Sequence, residues 1–505
     1  MARRRYAAPL AMDLFRPLQR EGSALLSDQL AQRIRDLVVA GHLKAGDYLP
    51  PLRFLARRLH LSIGTVSKAY TSLGREGLVA GDSTRGLRVR SGAPIPSRTG
   101  QRPWASLVMR PTVPADPLGV ELPQPMGPSP VRLHASEPGT DLLPTALVAR
   151  AFGAALAEGA NLRYAPIGGL PEVRAAVDGY LRRRGIALAG AEVLLTAGTT
   201  QSLAIITHAL LPPGGVVLTE HPTWYMALAV FAAAGARVIA LPVDDEGLEV
   251  GGLADAVLRC NPAFLYLQPA FQNPTGVSLS PARRAELLAV ARRLQLLVIE
   301  DDYAAELAFG ESPESLRTAE GADVVIYVKS FAKLIAPALR IGAIVAPARY
   351  AVALKSALHG LDPFVSTVTQ RALAACLTAP AFDTHLKALT AALARRAHAL
   401  DRTLGAHQPF GARWTRPAGG LCAWMELPPR VRADEFVRDA ARRGVLLAPG
   451  RLFCLDESGE RGLRIAFAAA TPSEIERGAG IIGELLELRA RKRRPPTGRS
   501  REVAP

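Results

Sequence analysis

Lys333 lies in the run VKSFAKLIAPALRIG (Val328–Gly342), three residues after Ser330 and seven before Arg340, among small and apolar neighbours. A lysine amine becomes a nucleophile when burial or nearby cations push its pKa down. Four other stretches carry groups that could work beside it. QNPTG (Gln272–Gly276) reads as a tight turn after an apolar run, and EDDY (Glu300–Tyr303) closes another run with carboxylates. TAGTTQSL (Thr196–Leu203) follows the apolar VLL and reads as a strand-to-helix turn whose backbone N–H groups can cradle a phosphate. EHPTWY sets an indole, Trp224, after a further apolar run. Each has a bland explanation when taken singly: Lys333 as a strand-end residue reaching water, Asp301 as a helix cap, Trp224 as core packing, Arg464 as a surface strand residue.

Together they supply an amine, a carboxylate, an amide, an anion cradle and an aromatic face. Pyridoxal 5′-phosphate (PLP) needs that set. A lysine binds its aldehyde, a carboxylate keeps its ring nitrogen protonated, polar groups hold the ring hydroxyl, and N–H groups with an arginine neutralise the phosphate.

The elements that must position these groups alternate. VVLTE (216–220), RVIALPV (237–243), FLYLQP (264–269), LLVIEDD (296–302) and VVIYVKS (324–330) are short β-rich runs. Helical patterns lie between several of them, such as SPARRAELLAVARRL (280–294), with Ser280 placed to cap and Pro281 in the first turn. This alternation predicts an α/β fold: a mostly parallel sheet covered on both faces, with ligands at the strand ends. From about Ala346 the chain turns helical and then ends in a few strands, including GGLCAWMEL and GLRIAFA, which predicts a smaller α+β domain.

A chain of 505 residues calls for more than one domain. Ser91–Pro130 is proline-rich and reads as a semi-extended linker, with Trp104 and Val108 able to pin part of it to a surface. Before it, SALLSDQLAQRIRDLVVAG sets Leu26, Leu30, Ile34, Leu37 and Val38 on one helical face, ended by Gly41. LPPLRFLARRL starts a second, short helix. LSIGTVSKAYTSLGREG gives a third, with Val66, Ala69, Tyr70 and Leu73 inward, and LVAGDSTRGLRVR reads as a hairpin. Three helices and a hairpin make a winged helix-turn-helix, whose third helix enters the DNA major groove. The net charge of +16 favours an acidic partner without naming it. Four dispersed cysteines make neither a disulfide frame nor a zinc site, and no metal is expected. The start MARRRYAAPLAMDLF has no sustained apolar stretch, and no run nears the ~18 apolar residues of a membrane span, so a cytoplasmic protein with no membrane partner is expected.

The N-terminal module resembles the GntR-type winged-helix family in the stretch from Gly41 to Pro50, in Arg53, in TV…AY…L…EGLV and in the wing. The resemblance implies contacts to double-stranded DNA from Arg53, Lys68 and Arg85, with Ser62 and Thr65 at the start of the reading helix. Ile63 departs from the polar or basic residue usual after that serine; it could meet a thymine methyl. The remainder resembles fold-type I PLP enzymes of the aminotransferase class I/II group. That resemblance implies Lys333 as the cofactor lysine and Asp301 at the pyridine nitrogen, with Asp302 as its rival. It places Asn273 and Tyr303 at the ring oxygen, Trp224 on the ring face, and Thr199, Thr200, Ser330 and Arg340 at the phosphate. Tyr164 of YAPIGGLPEVR would reach a phosphate across a dimer interface, and Arg464 would receive a substrate carboxylate as a bidentate pair. Ala332 stands where many relatives carry serine, but Ser330 keeps the phosphate contact.

Over nearly its whole length the chain is similar to the MocR/GabR-type regulators. The similarity implies a homodimer in which residues 20–90 bind promoter DNA, 91–130 link, 131–485 sense PLP, an amine or an amino acid, and 486–505 form a basic disordered tail. The alternative is a working aminotransferase with a vestigial winged helix. Ile63 favours that alternative, whereas the intact wing and Arg53 favour regulation. No arginine occurs in WYMALAVF after Trp224, so no second carboxylate clamp is expected there.

Overall fold

The computed structural model describes residues 18, 25–39, 43, 46–82, 86–90, 130–407 and 410–491. The chain divides into two compact units, Met1–Arg110 and Pro111–Pro505. Gly41, Arg85, Trp104, Val108, all but the last residue of the expected linker, and residues 492–505 lie outside the described residues.

In the first unit, helices α1 (Leu26–Val39), α2 (Leu52–Leu59) and α3 (Ile63–Arg75) precede the antiparallel pair β1 (Val79–Asp82) and β2 (Gly86–Val89). The helical period puts Leu30, Ile34 and Leu37 of α1 against Val66, Ala69, Tyr70 and Leu73 of α3 in one buried cluster. Leu26 and Val38 are half-buried at its edge. Ser62 caps α3 by accepting from Thr65 N at 3.0 Å. Arg35 clasps Glu76 through two 2.7 Å bonds, which ties α1 to the end of α3.

The second unit begins with β3 (Val131–Arg132). Its large sheet contains β4 (Ala191–Thr196), β5 (Val216–His221), β6 (Arg237–Asp244), β7 (Gly247–Leu248), β8 (Phe264–Leu267), β9 (Val298–Asp302), β10 (Val325–Ser330) and β11 (Gly342–Pro347). The spatial order is β4-β11-β10-β9-β8-β5-β6-β7. The five central strands, β10 to β6, are parallel, while β11 runs antiparallel to both β10 and β4. Ser330 pairs with Gly342, so the chain leaves β10, makes the Lys333 loop and returns beside itself. The sheet is buried on both faces. Val217, Tyr266, Ile299, Val328 and Ile344 pack on one, and Leu218, Leu265 and Val298 on the other, as strand alternation requires. The helix Pro281–Leu294 starts as its sequence indicates: Ser280 Oγ accepts from Arg283 N at 3.3 Å.

A smaller antiparallel sheet follows helices Ala348–Leu361, Thr367–Thr378 and Pro380–Gly405. It comprises β12 (Arg413–Trp414), β13 (Cys422–Glu426), β15 (Ala448–Pro449) and β16 (Gly462–Ala466), in the order β12-β13-β16-β15. Between β13 and β15, β14 (Val445–Leu446) pairs with β3 and pins the start of the unit to its C-terminal part. The final helix, Pro472–Arg491, corrects the expected tail at 486–505. It runs on because Leu486 is buried and Arg489 pairs with Asp439 at 2.6 Å.

Candidate active site and nucleic-acid interface

Ten of the eleven residues expected around PLP line one cavity of about 330 Å³: Lys333, Asp301, Tyr303, Asn273, Trp224, Thr199, Thr200, Ser330, Arg340 and Arg464. Lys333 stands on the loop after β10. Burial draws its amine down to about 8; Glu137 opposes the shift, and Arg464 and Arg340 reinforce it.

Alternation along β9 separates the two acids. Asp301 faces the cavity. Its Oδ2 accepts from Tyr266 Oη and Gln268 Nε2, each at 2.8 Å, while Oδ1 is buried with no partner. Burial raises the carboxyl to about 6 in spite of those two bonds. Asp302 points the other way, to Lys329 Nζ at 3.1 Å and Tyr327 Oη at 2.5 Å. Burial alone would raise Asp302, but Lys329 and the Tyr327 bond outweigh it and hold the carboxyl below its ordinary value. Lys329 also donates to Glu306 at 2.6 Å, so a fully buried ion cluster backs the strand ends.

The anion cradle forms where β4 meets the helix Thr199–Leu210. Gly198 is the N-cap with φ 96°, and no side chain caps the helix. The positive φ of Gly198 favours glycine, and a Cβ there would sit 3.1 Å from Arg340 Nη2, a tight contact to which the guanidinium would have to yield. Arg340 donates to Ala197 O at 3.1 Å, and Thr199 Oγ1 is buried without a partner. Uncapped helical N–H groups, an unused hydroxyl and a guanidinium fit a phosphate.

Asn273 N donates to Gln268 Oε1 at 3.0 Å, and Asn273 Oδ1 accepts from Arg464 Nη1 at 3.0 Å. Arg464 Nη2 donates to His134 O at 2.6 Å, whereas its buried Nε has no partner. Tyr303 Oη donates to Phe271 O at 2.5 Å. Trp224 is half-buried at the start of the helix Tyr225–Ala233. The residues therefore fit PLP: Asp301 Oδ1 lacks a donor, Thr199 and the helix start lack an anion, and Lys333 is partly neutral near pH 8.

Tyr164 is not in this cavity. It is 83% exposed, stacks on Phe364 with ring centroids 4.7 Å apart, and lines a separate surface groove. Sequence reasoning missed Gln268, His134, Ser136 and Glu137, which also line the cavity. Gln268 had a visible signal, a polar residue closing the apolar FLYL before Pro269. The segment 134–137 had none, because the β3–β14 pairing brings it there.

On the N-terminal unit, Arg53 and Lys68 are exposed on α2 and α3. Ser62 Oγ and Thr65 Oγ1 bond each other at 2.8 Å, and Ile63 stands beside them 51% exposed. Arg85 lies outside the described residues. Among the described residues no helix is long and apolar enough to cross a membrane, and no cluster of His, Cys, Asp or Glu could hold a metal.

The family description "Aminotransferase class I and II" matches residues 129–482. The chain belongs to that family. Class I and II aminotransferases are typically PLP-dependent. Residues 26–89 match "Bacterial regulatory proteins, gntR family", so a GntR-type DNA-binding domain is fused in front of the aminotransferase domain. Full-length relatives share the fusion. The uncharacterized HTH-type transcriptional regulator YisV of Bacillus subtilis is 28% identical over 92% of this chain and 96% of its own. The probable rhizopine catabolism regulatory protein MocR of Rhizobium meliloti is 29% identical over 92% and 94%. The chain is thus a MocR-type helix-turn-helix transcription regulator with an aminotransferase-like domain. Among solved aminotransferase structures, LysN, the alpha-aminoadipate aminotransferase of Thermus thermophilus complexed with N-(5′-phosphopyridoxyl)-L-leucine, is 30% identical. It has a TM-score of 0.70 and covers 76% of this chain and 98% of its own.

Proposed function

We propose that this regulator holds PLP on Lys333 and uses the aminotransferase-like domain to sense PLP or an amine or amino acid, changing its affinity for promoter DNA. The observation that carries the reading is one cavity in which Lys333 stands with two buried, unpartnered atoms, Asp301 Oδ1 and Arg464 Nε. It sits on a chain that also carries a GntR-type reader. Bound there, PLP supplies an electrophilic carbon for amines and a ring that accepts electrons.

The chain's own groups then divide the work. Lys333 offers a partly neutral amine. Asp301 Oδ1 holds a proton on the ring nitrogen. Thr199, Thr200, Ser330, Arg340 and the helix start take the phosphate, Trp224 covers the ring, and Asn273 and Tyr303 flank its oxygen. A ligand carboxylate is received by Arg464, whose Nη2 now rests on the His134 carbonyl, four residues after the last linker residue, Pro130. Displacing that carbonyl would shift the segment nearest the linker. The response in DNA affinity equals the ligand's preference between two arrangements, typically ~1–3 kcal/mol. Tyr164 and Phe364 form an exposed apolar patch suited to a second copy of the chain, and a homodimer would bring Tyr164 to the partner's phosphate. A cytoplasmic location goes with contact to DNA.

A second reading, an aminotransferase that turns over, is favoured by the ten expected residues gathered in the cavity and the likeness to LysN. Footprinting of the chain's own promoter region, with and without PLP and a panel of amino acids, separates the two. Sensing predicts a ligand-dependent footprint that Arg464→Ala loses for amino acids while PLP colour and basal DNA binding remain. Multiple-turnover transamination with no promoter binding would leave only the enzyme.

A further inference from the structure

Gln268 has no role in that account, yet it touches two of the groups that do. It follows β8, whose four residues are all buried, and is itself 2% exposed. A buried carboxamide brings two donors and an acceptor that must be satisfied. Nε2 donates to Asp301 Oδ2 at 2.8 Å, and Oε1 accepts from Asn273 N at 3.0 Å. These partners fix the orientation of the amide. A flip would set Oε1 against a carboxylate and Nε2 against an N–H, both repulsive. The backbone N of Gln268 donates in turn to Glu220 Oε2 at 3.0 Å.

We propose that Gln268 is a positioning residue that joins the Asp301 carboxylate to the Asn273–Arg464 pair, so that one side chain sets both ends of the cofactor site. The proposal rests on reading the cavity as a PLP site. The contacts run in series, passing through Asn273 from its side-chain amide to its backbone N–H: Arg464 Nη1 to Asn273 Oδ1, Asn273 N to Gln268 Oε1, and Gln268 Nε2 to Asp301 Oδ2, where Tyr266 Oη also donates. It runs from β16 in the small sheet to β9 in the large one. Two donors on Oδ2 leave Oδ1 as the only unpartnered oxygen, which fixes how the carboxylate meets the ring. Glu220 anchors Gln268 without adding charge at neutral pH, since burial raises its carboxyl to about 8. A ligand carboxylate that draws on Arg464 therefore pulls on Asn273, whose backbone N–H is bonded to Gln268.

The test uses the full chain and two variants, Gln268→Glu and Gln268→Met. The first keeps the shape and the acceptor for Asn273 N but sets a carboxyl against Asp301. The second removes both bonds. Either change raises the Asp301 carboxyl, through like charge or a lost donor. PLP affinity, followed by fluorescence, should fall ~10-fold or more, the scale of one hydrogen bond to a charged group. The pH midpoint of the bound cofactor's visible absorbance should move upward by about half a unit or more. A merely structural amide would lower the melting temperature of the PLP-free protein and leave that midpoint in place, which would overturn the proposal. So would PLP affinity within twofold of wild type in both variants. If the methionine variant does not fold, the glutamate variant decides alone. A wild-type protein that takes up no PLP overturns the site reading and this assignment together. Normal uptake with an unmoved midpoint in the variants overturns this assignment only.

Discussion

Replacing Lys333 with methionine should stabilise the PLP-free protein, by an amount that depends on pH. The amine titrates near 8 in the folded chain against an ordinary 10.5, chiefly because burial disfavours the ammonium. Between those values the unfolded chain binds one more proton than the folded one, so stability rises with pH across that window. Below about pH 8 both states carry the charge and the folded state bears the whole cost. A gap of about 2.5 pKa units at ~1.4 kcal/mol each gives ~3 kcal/mol. Methionine has similar length and no charge to desolvate. Urea unfolding of the second unit, followed by tryptophan fluorescence in PLP-free protein, should therefore show Lys333→Met more stable by ~3 kcal/mol at neutral pH, with the difference fading toward zero near pH 10.5. A gap that is absent at neutral pH, or one that stays constant up to pH 10.5, would refute the argument that this amine is held against its charge.

Two further outcomes follow from buried and exposed charge. Lys329→Met leaves buried Asp302 without its contacting cation and Glu306 with Arg184 alone, at 3.4 Å, so it should cost ~3 kcal/mol in the same assay, and adding Glu306→Gln should restore part of the loss. Arg53→Ala and Lys68→Ala remove exposed cations from α2 and α3; if each meets a phosphate, gel-shift titrations at several salt concentrations should show the salt slope fall by about one per residue, equally on specific and random DNA.

Chemistry in short local motifs was the most legible part of the site. Ser330, Lys333 and Arg340 are tied by one strand and one return loop, so their spacing carries their proximity. Thr199 and Thr200 follow β4 directly, and Asp301 ends β9. Ser280 and Ser62 announced the helices they cap. What escaped was made by distant pairing. β3 and β14 have two residues each, too short for any period, yet their pairing brings His134 to Arg464. β11 was not singled out, and its antiparallel run depends on a return that composition does not encode. Gln268 reads as an ordinary polar strand end until its two partners are seen. The last helix outran its expected end because an arginine-rich sequence gives no notice of the acids waiting on the helix Ala433–Arg442.

The three acids that close β9 have a consequence for how the chain finds its register. A forward shift of one position along Leu297-Val298-Ile299-Glu300-Asp301-Asp302 keeps the apolar or acidic character of four slots, but sets Glu300 in the buried Ile299 slot and Tyr303 in the Asp302 slot. A slip that turns a strand inside out is here punished at those two slots rather than along the whole strand. The neighbours add a second penalty. Tyr266 and Gln268 await a short acid on one face, while Ser315 and the Arg317 N–H await the longer Glu300 on the other. Loss of one residue ahead of β9, around Gln295, would thus keep an aspartate, Asp302, under the cofactor while setting the shorter Asp301 before Ser315 and the Arg317 N–H and Glu300 in the apolar core, so its mark would be lost stability rather than a changed ligand colour.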